Sequence, residues 1–195
     1  MEAFEQFVAL AMETEGLVVG GATRYPFARL TRKASHAETQ THSYEVDLVG
    51  ARRDRLVLAS VKSYFGSQGV SADHLAGRSA NRAYNARYTL LNDGDVRASV
   101  VAQAAEQYGF EQEQVELRLY VGRFAPGRHE AQARDWAASQ HVGGGPIRII
   151  GAADVVAAVR PLAQRTAYRD SAVITALKVM EATGMLRDPA GGHLA

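Results

Sequence analysis

A carboxylate and a lysine on paired β-strands are the chain's clearest chemical feature. Tyr44-Glu45-Val46-Asp47-Leu48-Val49 alternates apolar and polar residues as a strand does. Gly50-Ala51-Arg52-Arg53-Asp54 supplies a turn, and Arg55-Leu56-Val57-Leu58-Ala59-Ser60-Val61-Lys62 runs back as the partner strand. Side chains alternate between faces along a strand, so Glu45 shares a face with Asp47, and Ser60 shares one with Lys62. A hairpin with a short turn then brings Asp47 close to Ser60 and Lys62. Such a pair suits metal-assisted hydrolysis: the carboxylate holds a hard cation such as Mg²⁺ or Mn²⁺ through oxygen, and the lysine orients or deprotonates the attacking water.

Other groups could serve the same site. The spacing predicts a helix over 72–88, with Ser71 as its N-cap and Asp73 in its first turn. That helix carries Arg78 and Arg82, Asn81 and Asn85, and Tyr84 and Tyr88, each pair four residues apart. Arginine and asparagine bind phosphates or base edges, and tyrosine packs on sugars or bases; the alternative is a helix with core tyrosines and a solvated arginine face. Arg52 and Arg53, with Arg55, could clamp a phosphate at the hairpin turn. Glu15 lies roughly 20° off the apolar stripe of the opening helix at 100° per residue, so it faces the core, either to serve the metal or to snorkel from a frayed helix end. The six histidines show no HExxH or HxH spacing, and with no cysteine, thiol catalysis and cysteine-ligated metals are excluded. No phosphate-cradling glycine pattern and no GxSxG elbow is present.

The elements that must position these residues follow from periodicity. Phe4, Phe7, Val8 and Ala11 mark an amphipathic helix over 2–15, stopped at Gly16, and Leu17-Val18-Val19 is a short β-prone run. The polar stretch 31–43 reads as an exposed loop or hairpin tip. Further on, helices are predicted at 96–108, 128–140, 152–159 (ended by Pro161) and 171–183, with strands at 115–121 and 147–150 and a frayed tail from Arg187. This order describes an α/β fold, a mixed sheet covered by helices. At 195 residues the chain divides into a domain over 1–160 and a C-terminal helix and tail over 161–195, expected to make dimer or partner contacts. Net charge is +1, yet residues 24–87 hold eleven Lys/Arg against five Asp/Glu, so a polyanion would meet the first half. No apolar run is long enough to span a membrane and the N-terminus is acidic, from which a cytoplasmic protein is expected.

Glu45-Val46-Asp47-Leu48-Val49 followed by Leu56-Val57-Leu58-Ala59-Ser60-Val61-Lys62-Ser63 resembles the core of the PD-(D/E)XK nucleases, the superfamily of restriction endonucleases, Holliday-junction resolvases and repair nucleases. The resemblance covers about 20 residues closely, and the order helix, hairpin, helix agrees with it through Tyr88. It implies a restriction endonuclease-like mixed sheet flanked by helices, a Mg²⁺-dependent DNA endonuclease, and a homodimer or larger nucleoprotein complex. Asp47 would hold the metal and Lys62 would position the water. The family's acid two residues before the lysine is replaced here by Ser60. In one branch of restriction endonucleases that strand reads Ser-x-Lys and the acid has moved to the following helix. Asp73 is then the first candidate for the missing acid and Glu45 the second, with Glu15 as a further metal ligand. The alternative is a catalytically degenerate nucleic-acid-binding or assembly protein on the same fold. A third reading is a partner protein docking through Ile174, Leu177 and Lys178 of helix 171–183.

Overall fold

Strands with apolar residues on both sides can be satisfied only at the centre of a covered sheet, and two segments of this chain have that character. The structure, a computed structural model, describes residues 2–32, 37–166 and 171–186. In chain order these form α1 (Ala3–Thr14), β1 (Val18–Gly20), β2 (Thr23–Arg32), β3 (Ala37–Val46), β4 (Leu48–Arg52) and β5 (Arg55–Lys62). Three short helices follow, α2 (Ala72–Leu75), α3 (Arg82–Ala86) and α4 (Thr89–Asn92), then α5 (Gly94–Tyr108) and β6 (Val115–Val121). The rest is α6 (His129–Ala138), the small pair β7 (His141–Val142) and β8 (Gly145–Pro146), β9 (Arg148–Gly151), α7 (Ala152–Ala163) and α8 (Ala172–Ala182).

The central sheet has the spatial order β1-β4-β5-β6-β9, antiparallel from β1 to β5 and parallel from β5 to β9. It is the mixed sheet flanked by helices that the sequence predicts. Leu56 and Leu58 of β5 enter one core with residues of α2, α4, α5 and α6, while Val57, Ala59 and Val61 enter another with α1, α7 and α8. α1 buries Leu10 and Met12 beyond the predicted stripe, because the helix packs on α7 and α8 as well as on the sheet, where Met12 meets β4. Gly50 lets α1 lie close: a Cβ there would stand 2.6 Å from the Met12 methyl.

Several expectations are corrected. Strand 44–49 does not run through. Val46 pairs with Thr23 in a separate two-stranded ribbon of β2 and β3, and Leu48 pairs with Ala59 in the main sheet, leaving Asp47 between the two. The described part of the polar stretch 31–43 is therefore strand; residues 33–36 lie outside the described residues, as does the tail from Arg187. The turn of the main hairpin is only Arg53-Asp54, with Arg52 opposite Arg55. The single helix over 72–88 is two short pieces, α2 and α3: Gly77 takes φ +72° after α2, and Asn81 caps a new start. Ser71 stands at the N-cap of α2 without a side-chain capping bond. α7 continues through Pro161 to Ala163, since Val155, Val159 and Ala163 all bury against the same core. Helix α8 is no appendage; Val173, Ile174 and Leu177 are buried against α7 and α1, so Ile174 and Leu177 are not a docking face.

Candidate active site

Asp47, Ser60 and Lys62 meet where β4 stops and β5 continues. Beyond the Leu48–Ala59 pair no strand among the described residues pairs with that edge of β5, and an open backbone N–H needs an acceptor. The Asp47 carboxylate supplies it: Val61 N donates to Oδ2 at 2.6 Å. Ser60 Oγ donates to the same oxygen at 3.2 Å, and Lys62 Nζ stands 3.9 Å from it. Val46 and Leu48, both fully buried, fix the backbone on either side of Asp47. The Asp47 and Lys62 side chains are about one-fifth exposed (21% and 18%), sheltered but open to solvent. Ser60 is buried, so the residue at the altered position holds Asp47 in place rather than lining the opening.

Asp47 and Glu45 line a cleft of about 510 Å³ together with Glu2, Glu5, Gly21 and Ala22. Glu5 accepts from the Glu2 backbone N–H at 2.8 Å, and Glu2 accepts from Ser63 Oγ at 2.8 Å, tying the start of α1 to the end of β5. Glu45 pairs with Arg24 across the ribbon at 2.8 Å. Glu2 and Glu5 are site residues that sequence reasoning missed. The short Glu15-Gly16-Leu17 connection held the signal: it turns α1 back along β1, which is parallel to β5, so the N-terminus of α1 must stand at the C-terminal end of β5.

The donors are all carboxylate oxygens, which suits Mg²⁺, and Mg²⁺ keeps several waters, so one or two carboxylates with a substrate phosphate suffice. The set fits on those terms: every contact to Asp47 falls on Oδ2, and Glu5 and Glu45 share its cleft. These acids are spread around the opening. Among the described residues no three His, Asp or Glu side chains are gathered in a group that could hold a metal alone.

The remaining predicted site residues lie elsewhere. Glu15 is exposed and stands at the far end of α1 as its C-cap, about 20 Å from Glu2 at 1.5 Å per residue. There it accepts from Arg118 Nη1 at 2.7 Å, and Arg118 is 1% exposed. Its carboxylate is engaged by that buried guanidinium and does not line the cleft. Asp73 is exposed on α2, 3.5 Å from Arg78, and does not line the cleft. Asn85 is not free for bases: it accepts from Ser79 N and donates to the Gly77 and Ser79 carbonyls, closing the loop before α3. Asn81 caps α3 by accepting from Ala83 N. Arg82 is exposed. Tyr88 is core, and burial pushes its hydroxyl pKa up. Tyr84 is exposed but stacks on His74, with Arg87 beside its ring.

Arg52 and Arg53 sit at the opposite end of β5 from Lys62, about 23 Å away at 3.3 Å per residue. Arg52 donates to Asp54 and to the Glu15 carbonyl. Hydrogen bonds from Arg52 and Arg55 hold the Asp54 carboxyl well below the usual carboxylate range. Beside them Glu116 takes Arg118 at 2.8 Å and Arg55 at 2.8 Å, with Arg148 at 3.6 Å. Arg52, Arg55 and Arg118 are thus engaged in an ion network at this end of the sheet, while Arg53 is exposed in the turn. Among the described residues no helix is long and apolar enough to cross a membrane. Compared with known protein families and with curated proteins, the chain matches none, so the reading of the cleft rests on its own geometry.

Proposed function

We propose that this chain is a divalent-metal-dependent DNA endonuclease of the restriction endonuclease-like class, working at the cleft between the start of α1 and the end of β5. One observation carries the reading: the Asp47 carboxylate and the Lys62 ammonium are held 3.9 Å apart, partly sheltered, at the C-terminal end of a central strand. The order of helix, antiparallel strands and a parallel β6 supports it, as does the place of the cleft outside the carboxyl end of β5, where open α/β sheets bind ligands.

Hydrolysis of a phosphodiester adds water across one P–O bond and leaves a phosphate monoester and a free hydroxyl. Asp47, with Glu5 or Glu45, would hold Mg²⁺, which supplies charge neutralisation at the phosphate and activation of water. Lys62 contributes a fixed positive charge against the phosphate and a hydrogen-bond donor that orients the attacking water. Ser60 and Val61 N keep the Asp47 carboxylate from rotating. Glu2 and Ser63 hold the two walls of the cleft together.

A second reading, binding without catalysis, is favoured by the spread of the acids and by Ser60 in the place of a ligand. Plasmid cleavage in Mg²⁺, Mn²⁺ or EDTA separates the two. A nuclease nicks with metal only and loses at least about 100-fold in rate in both Asp47→Ala and Lys62→Ala. DNA retained in EDTA, with no cleavage under any condition, selects the binder.

A further inference from the structure

The chain turns sharply after the catalytic strand. Tyr64 takes φ +46°, a conformation that bulky residues avoid, and Ser67 N donates to the Tyr64 carbonyl at 3.2 Å to close a turn with Phe65 and Gly66 at its corner. Tyr64 packs into the core on one side of the sheet. Phe65 lies across the other, edge-to-face on Phe4 of α1 with centroids 5.3 Å apart. Gly122, at the end of β6, leaves room for its ring, since a Cβ there would stand 2.8 Å from Phe65 Cζ. Despite these contacts Phe65 is 56% exposed, three residues from Lys62 and two from Ser63, whose hydroxyl reaches the cleft-lining Glu2. Phe65 is thus an anchored aromatic ring open to solvent just beyond the end of β5, the strand that carries Lys62.

We propose that Phe65 is a stacking platform for an unpaired nucleobase, so that the substrate class is DNA with a single-stranded or unstacked nucleotide beside the scissile phosphate. This rests on the nuclease reading of the cleft and adds its substrate. A base inside a duplex has both faces covered by its neighbours, whereas a base in a single strand offers a face to an aromatic side chain. A cleft walled by Glu2, Glu5, Glu45 and Asp47 repels a bare phosphate chain, so an uncharged π contact is the attraction that remains when metal is scarce.

The test is fluorescence anisotropy with a labelled 12-nucleotide single strand and the matched blunt duplex, in Ca²⁺, with substrate integrity checked on a gel. Phe65→Leu keeps an apolar cover over Phe4 but has no aromatic face; it should weaken single-strand binding about 5- to 150-fold and leave duplex binding within about twofold. Phe65→Trp should restore the single-strand affinity, and its emission, taken as the difference from wild type because Trp136 also emits, should be quenched by the single strand alone. Equal single-strand affinity in Phe65→Leu and wild type overturns the proposal. So does an equal loss on both substrates, which marks Phe65 as packing for Phe4, and so does absence of single-strand binding in wild type. Asp47→Ala cleavage run alongside separates the two ideas. A Phe65 effect without metal-dependent cleavage by wild type sinks the nuclease and keeps the platform; cleavage that depends on Asp47 with silent Phe65 variants does the reverse.

Discussion

Ser60 is the residue at which this chain departs from the strand pattern it resembles. Its hydroxyl donates to Asp47 Oδ2 from a buried position, so it orients the carboxylate without adding charge. In Ser60→Asp two carboxylates would crowd one sheltered spot, where like charges disfavour joint ionisation unless a cation lies between them. The variant should melt several degrees below wild type in EDTA and recover that loss in millimolar Mg²⁺, because a ligand that binds only the folded state stabilises it. Differential scanning fluorimetry reads both values; a melting temperature indifferent to Mg²⁺ would show that this position does not face the metal. The Asp47–Ser60–Lys62 meeting was legible from the sequence, since it needs only strand periodicity and a short turn. Asp73 stands on the short α2 outside the cleft, and Glu15 pairs with the buried Arg118, a partner far along the chain that no local spacing reveals.

Elements were legible where one rule governed them. Strand 115–121 and the helices ending at Gly109 and Gly184 follow from apolar patterning and from glycines at left-handed φ. Helix 72–88 was not, because its periodic pattern is overridden by the Asn85 side chain, which satisfies the backbone of residues 77–79 and interrupts the helix. At β6 the deciding feature is a missing side chain. Gly122 N donates to the Lys62 carbonyl at 2.9 Å, and a Cβ on Gly122 would fall 2.2 Å from the Ser63 carbonyl oxygen. That neighbour is backbone and cannot swing aside. Gly122→Ala should therefore displace residues 62–65, lowering nuclease rate by about tenfold or more with Asp47 and Lys62 both intact, and costing about 1–3 kcal/mol in chemical denaturation as overpacking does. Unchanged rate and stability together would show that the two strands separate there easily.

Across the whole molecule, the two ends of the central sheet have different work. The Lys62 end opens into the acidic cleft, and the Arg52 end is locked by the ions around Arg118. Burial pushes the Glu116 carboxyl up, but its hydrogen bonds to Arg118 and the charges of Arg118, Arg55 and Arg148 outweigh this and hold it below its ordinary value. A carboxyl depressed in the folded state adds stability above its unfolded pKa, and that contribution is lost as pH falls through the folded one. Glu116→Gln should cost about 2 kcal/mol at pH 7, with the difference from wild type narrowing as urea unfolding is repeated from pH 5 down to pH 3. A gap that stays constant over that range would assign the cost to shape rather than charge. The sheet and its two helical layers were legible from the sequence because both faces of β5 are apolar. The ribbon of β2 and β3 was not, because its polar residues carry no burial pattern to betray a strand. Its two ends, Thr23 and Val46, are paired opposite each other, and Asp47 follows at once. To the rest of the chain, then, the ribbon is an insertion with adjoining entry and exit points. Its base is tied down by buried Tyr25 and by Gln103 donating to the Pro26 carbonyl, so the backbone that enters Asp47 is anchored from the α5 side as well as from the main sheet.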